Sequence, residues 1–277
     1  MGPRLVILDG WRCLKDRGFN STLVMRFLVL LVCAAAAAPA GDFATGQAAR
    51  LVIGQRTFTS QQEGAEDNLL GGVGGIAYAN DTLFVTDANR VGAAPLNHRV
   101  LMFRGLSRML PAPLDRLPQG ERCNVCVGKA DLVLGQPDFQ KSDWNLTRTG
   151  FRLPTAVASD GRILAVADTD NNRVLIWNSI PSTNGARPDI VVGQDDFTKN
   201  SSPRPPNNKS LRGPQGVWIQ NGKLFVADTQ NHRVLIWNRV PTSNGAAADV
   251  VLGQADFTSA VEPDLTKAKV EAKVNNL

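Results

Sequence analysis

The chain has 277 residues, enough for a sizeable core, with 25 Gly, 16 Pro, a single Tyr and 43% hydrophobic residues. Its formal charge is +5, but residues 1–40 hold five basic and two acidic side chains, which leaves 25 basic against 23 acidic in the rest. That near balance excludes the broad basic footprint of a nucleic-acid binder.

In chain order, Phe27–Ala38 is an apolar run that follows Arg26 and ends in Ala38-Pro39-Ala40, a small-x-small cleavage pattern. It is too short for a membrane span. Residues 1–40 therefore read as an N-terminal extension with a signal peptide, which implies a secreted or periplasmic chain with no membrane insertion after cleavage. Residues 1–24 do not resemble an ordinary n-region, so Met25 is a candidate start, against a genuine long n-region. Cleavage after Ala40 removes Cys13 and Cys33. Cys123 and Cys126 remain as a C-x-x-C pair in an oxidising compartment. No second pair exists for zinc, and Val127 excludes the haem-attachment motif. A local disulfide that pins a long loop is the main reading, with a redox-active pair as the other.

Arg50–Phe58 then reads as a short outer strand with nothing before it to pair with. Three similar segments follow. Val73–Asp87, Pro154–Asp168 and Pro214–Asp228 each read as two short strands joined by a turn at Asn80-Asp81, Asp160-Gly161 or Asn221-Gly222. A third strand is predicted at Arg99–Phe103, Arg173–Trp177 and Arg233–Trp237. A fourth is predicted at Asp131–Gln136, Asp189–Gln194 and Asp249–Gln254, each running into Gly-Gln-x-x-Phe. Asp168 and Asp228 are 60 residues apart, as are Trp177 and Trp237, while an insertion stretches Asp87 to Asp168 to 81. A repeat of this length marks a modular array. Four antiparallel strands per repeat without helical periodicity point to an all-β protein of β-propeller blades rather than a solenoid.

Each repeat places Asp, Asn and Arg at the turn between the second and third strands: Asp87, Asn97 and Arg99; Asp168, Asn171 or Asn172 and Arg173; Asp228, Asn231 and Arg233. The Asp can hold the turn by accepting backbone N–H bonds, and the Arg can pair bidentately with a carboxylate. Recurrence in every blade is what a structural device predicts, since catalysis needs asymmetry. His98 and His232 are equivalent in the repeat and make no metal site by themselves. No nucleophile elbow, H-E-x-x-H, phosphate loop or dinucleotide fingerprint is present. Trp218 stands where the other repeats have Ala77 and Ala158, as a candidate ligand contact or an inter-blade residue.

The motif Asp-x-x-Asn-x-Arg-Val resembles the NHL repeat, and the 60-residue unit with Gly-Gln-x-x-Phe resembles a long-blade bacterial form of it, over about residues 50–258. The resemblance implies blades over 41–258, usually six to a ring. The chain shows about three complete blades plus the orphan N-terminal strand, with 259–277 as a linker toward a fourth blade. This implies a fragment of a larger ring, or a ring completed by several copies through their open edges. It also implies a non-enzymatic binding or scaffold module that recognises protein or carbohydrate through its loops, with Arg90–Leu96 and Gly105–Gly128 as the recognition elements and no cofactor. The alternative is a lactonase- or lyase-type propeller enzyme with calcium or zinc on its axis. The first strands argue against it, because Gly75-Ile-Ala, Ala156-Val-Ala and Gly216-Val-Trp carry no ligands.

Overall fold

The computed structural model describes Thr45 and residues 49–88, 96–110 and 127–262. The Cys123 and Cys126 pair, the apolar run at 27–38, Asn89-Arg90 and the segment after Glu262 lie outside the described residues. Three four-stranded antiparallel sheets carry the fold. The first contains β2 (Val73–Ala79), β3 (Thr82–Asp87), β4 (Arg99–Arg104) and β6 (Leu132–Leu134). The second contains β7 (Pro154–Ser159), β8 (Leu164–Asp168), β9 (Arg173–Trp177) and β10 (Ile190–Val192). The third contains β11 (Pro214–Gln220), β12 (Lys223–Asp228), β13 (Arg233–Trp237) and β14 (Val250–Leu252). The strands of each sheet are ordered as in the sequence. The first strands of neighbouring sheets lie close together, β2 against β7 and β7 against β11. These are propeller blades.

The local chemistry explains the hairpins. Asn80 and Asp81 have φ of 47° and 55°, and Asn221 and Gly222 have 51° and 73°. Two successive left-handed residues match the twist of the flanking strands, and Asn, Asp and Gly tolerate that conformation. The fourth strands are shorter than predicted, three residues each, because the chain bends away at the glycine of Gly-Gln-x-x-Phe.

The pleat sends alternate side chains to opposite faces, and both faces of a blade are apolar because its neighbours pack against them. Phe84, Val100, Met102 and Leu134 of the first blade pack against Val157, Val166, Leu175 and Trp177 of the second. Ala165, Val174, Ile176 and Val192 of the second pack against Val217, Leu224, Leu235 and Trp237 of the third. A third cluster joins Val85, Leu101, Phe103 and Val133 of the first blade to Leu70 and Ala130, with Ile53 and Met109 against it.

The N-terminal strand is shorter than expected. Only β1 (Val52–Ile53) is extended, and it pairs in parallel with β5 (Val127–Gly128), outside the three sheets. A short helix, α1 (Leu106–Met109), is tied to the β2–β3 turn. The Ser107 N–H and hydroxyl both donate to the Asp81 carboxylate at 2.7 Å. Those bonds hold the Asp81 carboxyl below its ordinary range.

Candidate functional site

The recurring Asp, Asn and Arg side chains come together in all three blades. Asp168 and Arg173 are wholly buried. Asp168 Oδ2 accepts from Arg173 Nε at 2.7 Å and from Asn171 Nδ2 at 2.9 Å, and Oδ1 accepts from the Arg152 backbone N–H at 2.7 Å. The remaining guanidinium nitrogens turn away from the carboxylate. They donate to the carbonyls of Phe197, Thr147 and Gly150. Arg233 repeats this set with Asp228 and the carbonyls of Phe257, Asn207 and Ser210. Arg99 does the same with Asp87 and the carbonyls of Ala65, Phe139, Glu66 and Leu69, which uses all five of its donors.

The arginine is therefore not a bidentate carboxylate partner, as the sequence had suggested. It ties the linker that enters its blade to the phenylalanine that ends the blade's fourth strand. The Asp–Arg bond anchors that clamp in the turn. Burial raises the Asp168 and Asp228 carboxyls above their ordinary range against the pull of their arginines, and lowers Arg99. Both side chains of each Asp–Arg pair are buried and the guanidinium donors turn inward, so the cluster presents no charged group at the surface.

Asn172 lies apart from the clamp. It closes the turn in the left-handed region at φ 52°, as His98 and His232 do at 49° and 53°. Its Oδ1 accepts from the Gly213 backbone N–H of the next blade at 2.8 Å. His98 does the same through Nδ1, which accepts from the Leu153 N–H at 3.0 Å. This bond requires an unprotonated Nδ1, and burial lowers the His98 pKa, with Asp170 opposing and Arg152 reinforcing the shift.

Two further recurring devices were not singled out as site residues in the sequence. The Gln of Gly-Gln-x-x-Phe closes the loop that follows it: Gln136 Nε2 donates to the Asp143 carbonyl, Gln194 to Ser201, Gln254 to Val261 and Gln55 to Gln62, each seven residues on. It also reaches the carbonyl of the left-handed turn residue, His98, Asn172 or His232. Secondly, an Asn-Gly pair hooks each blade onto the outer strand of the one before. Asn184 Oδ1 accepts from Val133 N at 3.1 Å, and Gly185 N donates to Val133 O at 2.9 Å. Asn244 and Gly245 treat Val191 identically, at 3.0 Å each. The signals were the repeated Gly-Gln and Asn-Gly dipeptides, whose inter-blade partners have no sequence signature.

Trp218 is on the face of the third blade that points away from the second, 59% exposed. It is paired with Phe225 on β12, Phe225 with Ile236 on β13, and Ile236 with Val250 on β14. Among the described residues, no three His, Cys, Asp or Glu side chains group to hold a metal ion, and no helix is long and apolar enough to cross a membrane.

No protein-family model matches the chain, and no curated protein matches it. Among solved structures it is similar to hydrazine synthase of Kuenenia stuttgartiensis, with a TM-score of 0.34 and 13% identity over 73% of this chain and 40% of that one. It is also similar to a chain of a nidogen/laminin complex, with a TM-score of 0.26 and 15% identity over 61% of this chain and 60% of that one. The chain thus spans less than two thirds of either neighbour. Likenesses of this size carry no argument about activity, and the propeller architecture rests on the three sheets themselves.

Proposed function

We propose that this chain is an extracytoplasmic β-propeller of the NHL-repeat kind that acts as a binding or scaffold module for protein or carbohydrate, rather than as an enzyme. The observation that carries this reading is the inward commitment of the recurring polar residues. Every Asp–Arg pair of the repeat is buried, and the guanidinium donors end on backbone carbonyls. Rigid blades with such internal clamps leave recognition to the connections between strands. The 60-residue period and the Asp-x-x-Asn-x-Arg-Val motif support the NHL affiliation, and the apolar run before Ala38-Pro39-Ala40 supports export. The long connection after β4 is the candidate recognition element, because the other two blades have nothing like it.

The test is a chain in which residues 111–126 are replaced by a Gly-Ser linker, leaving α1 and the β1–β5 pair in place. A glycan array and an extracytoplasmic protein library would be screened with the native chain. Loss of the strongest interaction in the linker variant is expected, at unchanged melting temperature. Equal affinity of the two chains would refute the assignment of the loop.

A further inference from the structure

The repeat shows how each blade receives its successor, because the first two blades have theirs in place. Four features make the receiving surface. One is an apolar ladder on the forward face: Ala77, Phe84, Met102 and Leu132 in the first blade, and Ala158, Ala165, Ile176 and Ile190 in the second. Another is the outward N–H and C=O of the middle residue of the outer strand, Val133 or Val191, which take the Asn-Gly hook. The third is the left-handed turn residue, His98 or Asn172, which accepts a backbone N–H. The last is the space above the glycine that ends the outer strand. A Cβ on Gly193 would meet Leu211 Cδ1 at 2.6 Å, and Phe151 fills the same space above Gly135.

The third blade repeats all four. Its ladder is Trp218, Phe225, Ile236 and Val250, bordered by Leu252 at 49% exposure. Val251 occupies the position of Val133 and Val191. His232 holds the left-handed turn with its side chain exposed. A Cβ on Gly253 would meet only the His232 carbonyl and Arg233 Cα. Among the described residues, nothing fills these positions. An uncovered apolar sheet face beside an open strand edge is a surface built for association.

We infer that the forward face of the third blade is a docking surface for a further blade of this same repeat. That blade brings an Asn-Gly hook to Val251, a backbone N–H to His232 and a leucine or phenylalanine side chain to the space above Gly253. A second copy of this chain does not supply it. The copy's two Asn-Gly hooks are engaged on Val133 and Val191, and Val127–Gly128 is engaged on β1. Its β1 also ends in the same Gly-Gln as β14 and already lies beside the first blade, with Gly54 O accepting from Leu70 N. The occupant is a blade with a hook of its own.

The test inserts a second copy of residues 199–258 directly after Thr258. The join is in register because Thr198 and Thr258 are 60 residues apart. Amide exchange is read by NMR, with Val133 and Val191 as internal standards. In the native chain the Val251 amide exchanges freely and the protein is monomeric by light scattering. In the extended chain Val251 becomes protected to the level of Val191, and Trp218, read as fluorotryptophan, loses its access to a soluble quencher. Changing the appended counterpart of Asn244 to Ala lowers Val251 protection about fivefold, the equivalent of about 1 kcal/mol for one hydrogen bond. Protection of Val251 in the native chain, in a dimer or otherwise, would overturn the inference. So would free exchange of Val251 in the extended chain, whether or not the appended blade folds.

Discussion

Replacing Arg173 with Met removes one wholly buried guanidinium and tests the clamp directly. The change leaves the Asp168 carboxylate buried with only the Arg152 N–H and Asn171 Nδ2 as partners. It also strands the carbonyls of Phe197, Thr147 and Gly150. Removing one partner of a buried ion pair costs about 3–5 kcal/mol. Each carbonyl left without a donor adds up to about 1–3 kcal/mol unless water reaches it. Because Thr147 is exposed, water reaches its carbonyl once the arginine is gone, and the expected total is about 4 kcal/mol. With a urea slope of about 2 kcal/mol/M, the midpoint falls by about 2 M. Arg173→Lys keeps the charge without the fork, and falls between the two.

The pH dependence separates this account from simple loss of packing. Burial already raises Asp168, and loss of Arg173 raises it further. A carboxyl raised in the folded state takes up its proton before the unfolded chain does. The destabilisation of the Met variant therefore shrinks as pH falls from 7 through the raised value toward about 4. Urea titrations at pH 7.0, 5.5 and 4.5 measure this. A loss below about 1 kcal/mol, or one that does not change with pH, would refute the reasoning.

Three further outcomes are expected. Stability is full above the ordinary histidine pKa of about 6.5 and falls as pH drops through the lowered value of His98, because the unfolded chain takes the proton first. Thermal scans at pH 7.5 and 5.0 should show that slope flattened in His98→Asn, since Asn172 already makes the same bond elsewhere through an amide oxygen. Gly193→Ala meets Leu211 and the Asn172 carbonyl at φ +86°, so strain and overpacking together cost about 2–5 kcal/mol, whereas Gly253→Ala, with no side chain above it, costs about 1–2 kcal/mol by chemical denaturation. Gln194→Leu removes two part-buried bonds and should cost about 1–2 kcal/mol, with faster amide exchange around Ser201.

What was legible in the sequence was whatever repeats along it. The hairpin turns at Asn80-Asp81 and Asn221-Gly222 are local chemistry, and the strands between them follow from the 60-residue period. The Asp, Asn and Arg positions were visible for the same reason. Their geometry was not. A bidentate pair is the common use of arginine beside aspartate, and nothing in the residue types says that the terminal nitrogens turn to carbonyls in the incoming linker. The parallel pairing of β1 with β5 was hidden by the insertion between β4 and β6. Aligned on Asp131 and Asp189, Val127 occupies the position of Gly185, so β5 stands where the hook of the first blade belongs.

That correspondence changes the meaning of the N-terminal strand. Val52 lies two residues before Gly54, as Val133 and Val191 lie two before Gly135 and Gly193. It receives β5 at the position where those valines receive Asn184-Gly185 and Asn244-Gly245. Gln55 staples its own seven-residue loop as Gln194 does, and Leu70 fills the space above Gly54 as Leu211 does above Gly193. β1 is therefore an outer strand in every contact except the sheet it would belong to. A strand can be held in this way without its sheet because the hook and the side chain over the glycine come from the blade that follows, while the staple is local to the strand's own loop. Each blade's outer edge is the responsibility of its successor, and the edge at Val251 is where the same logic calls for one more.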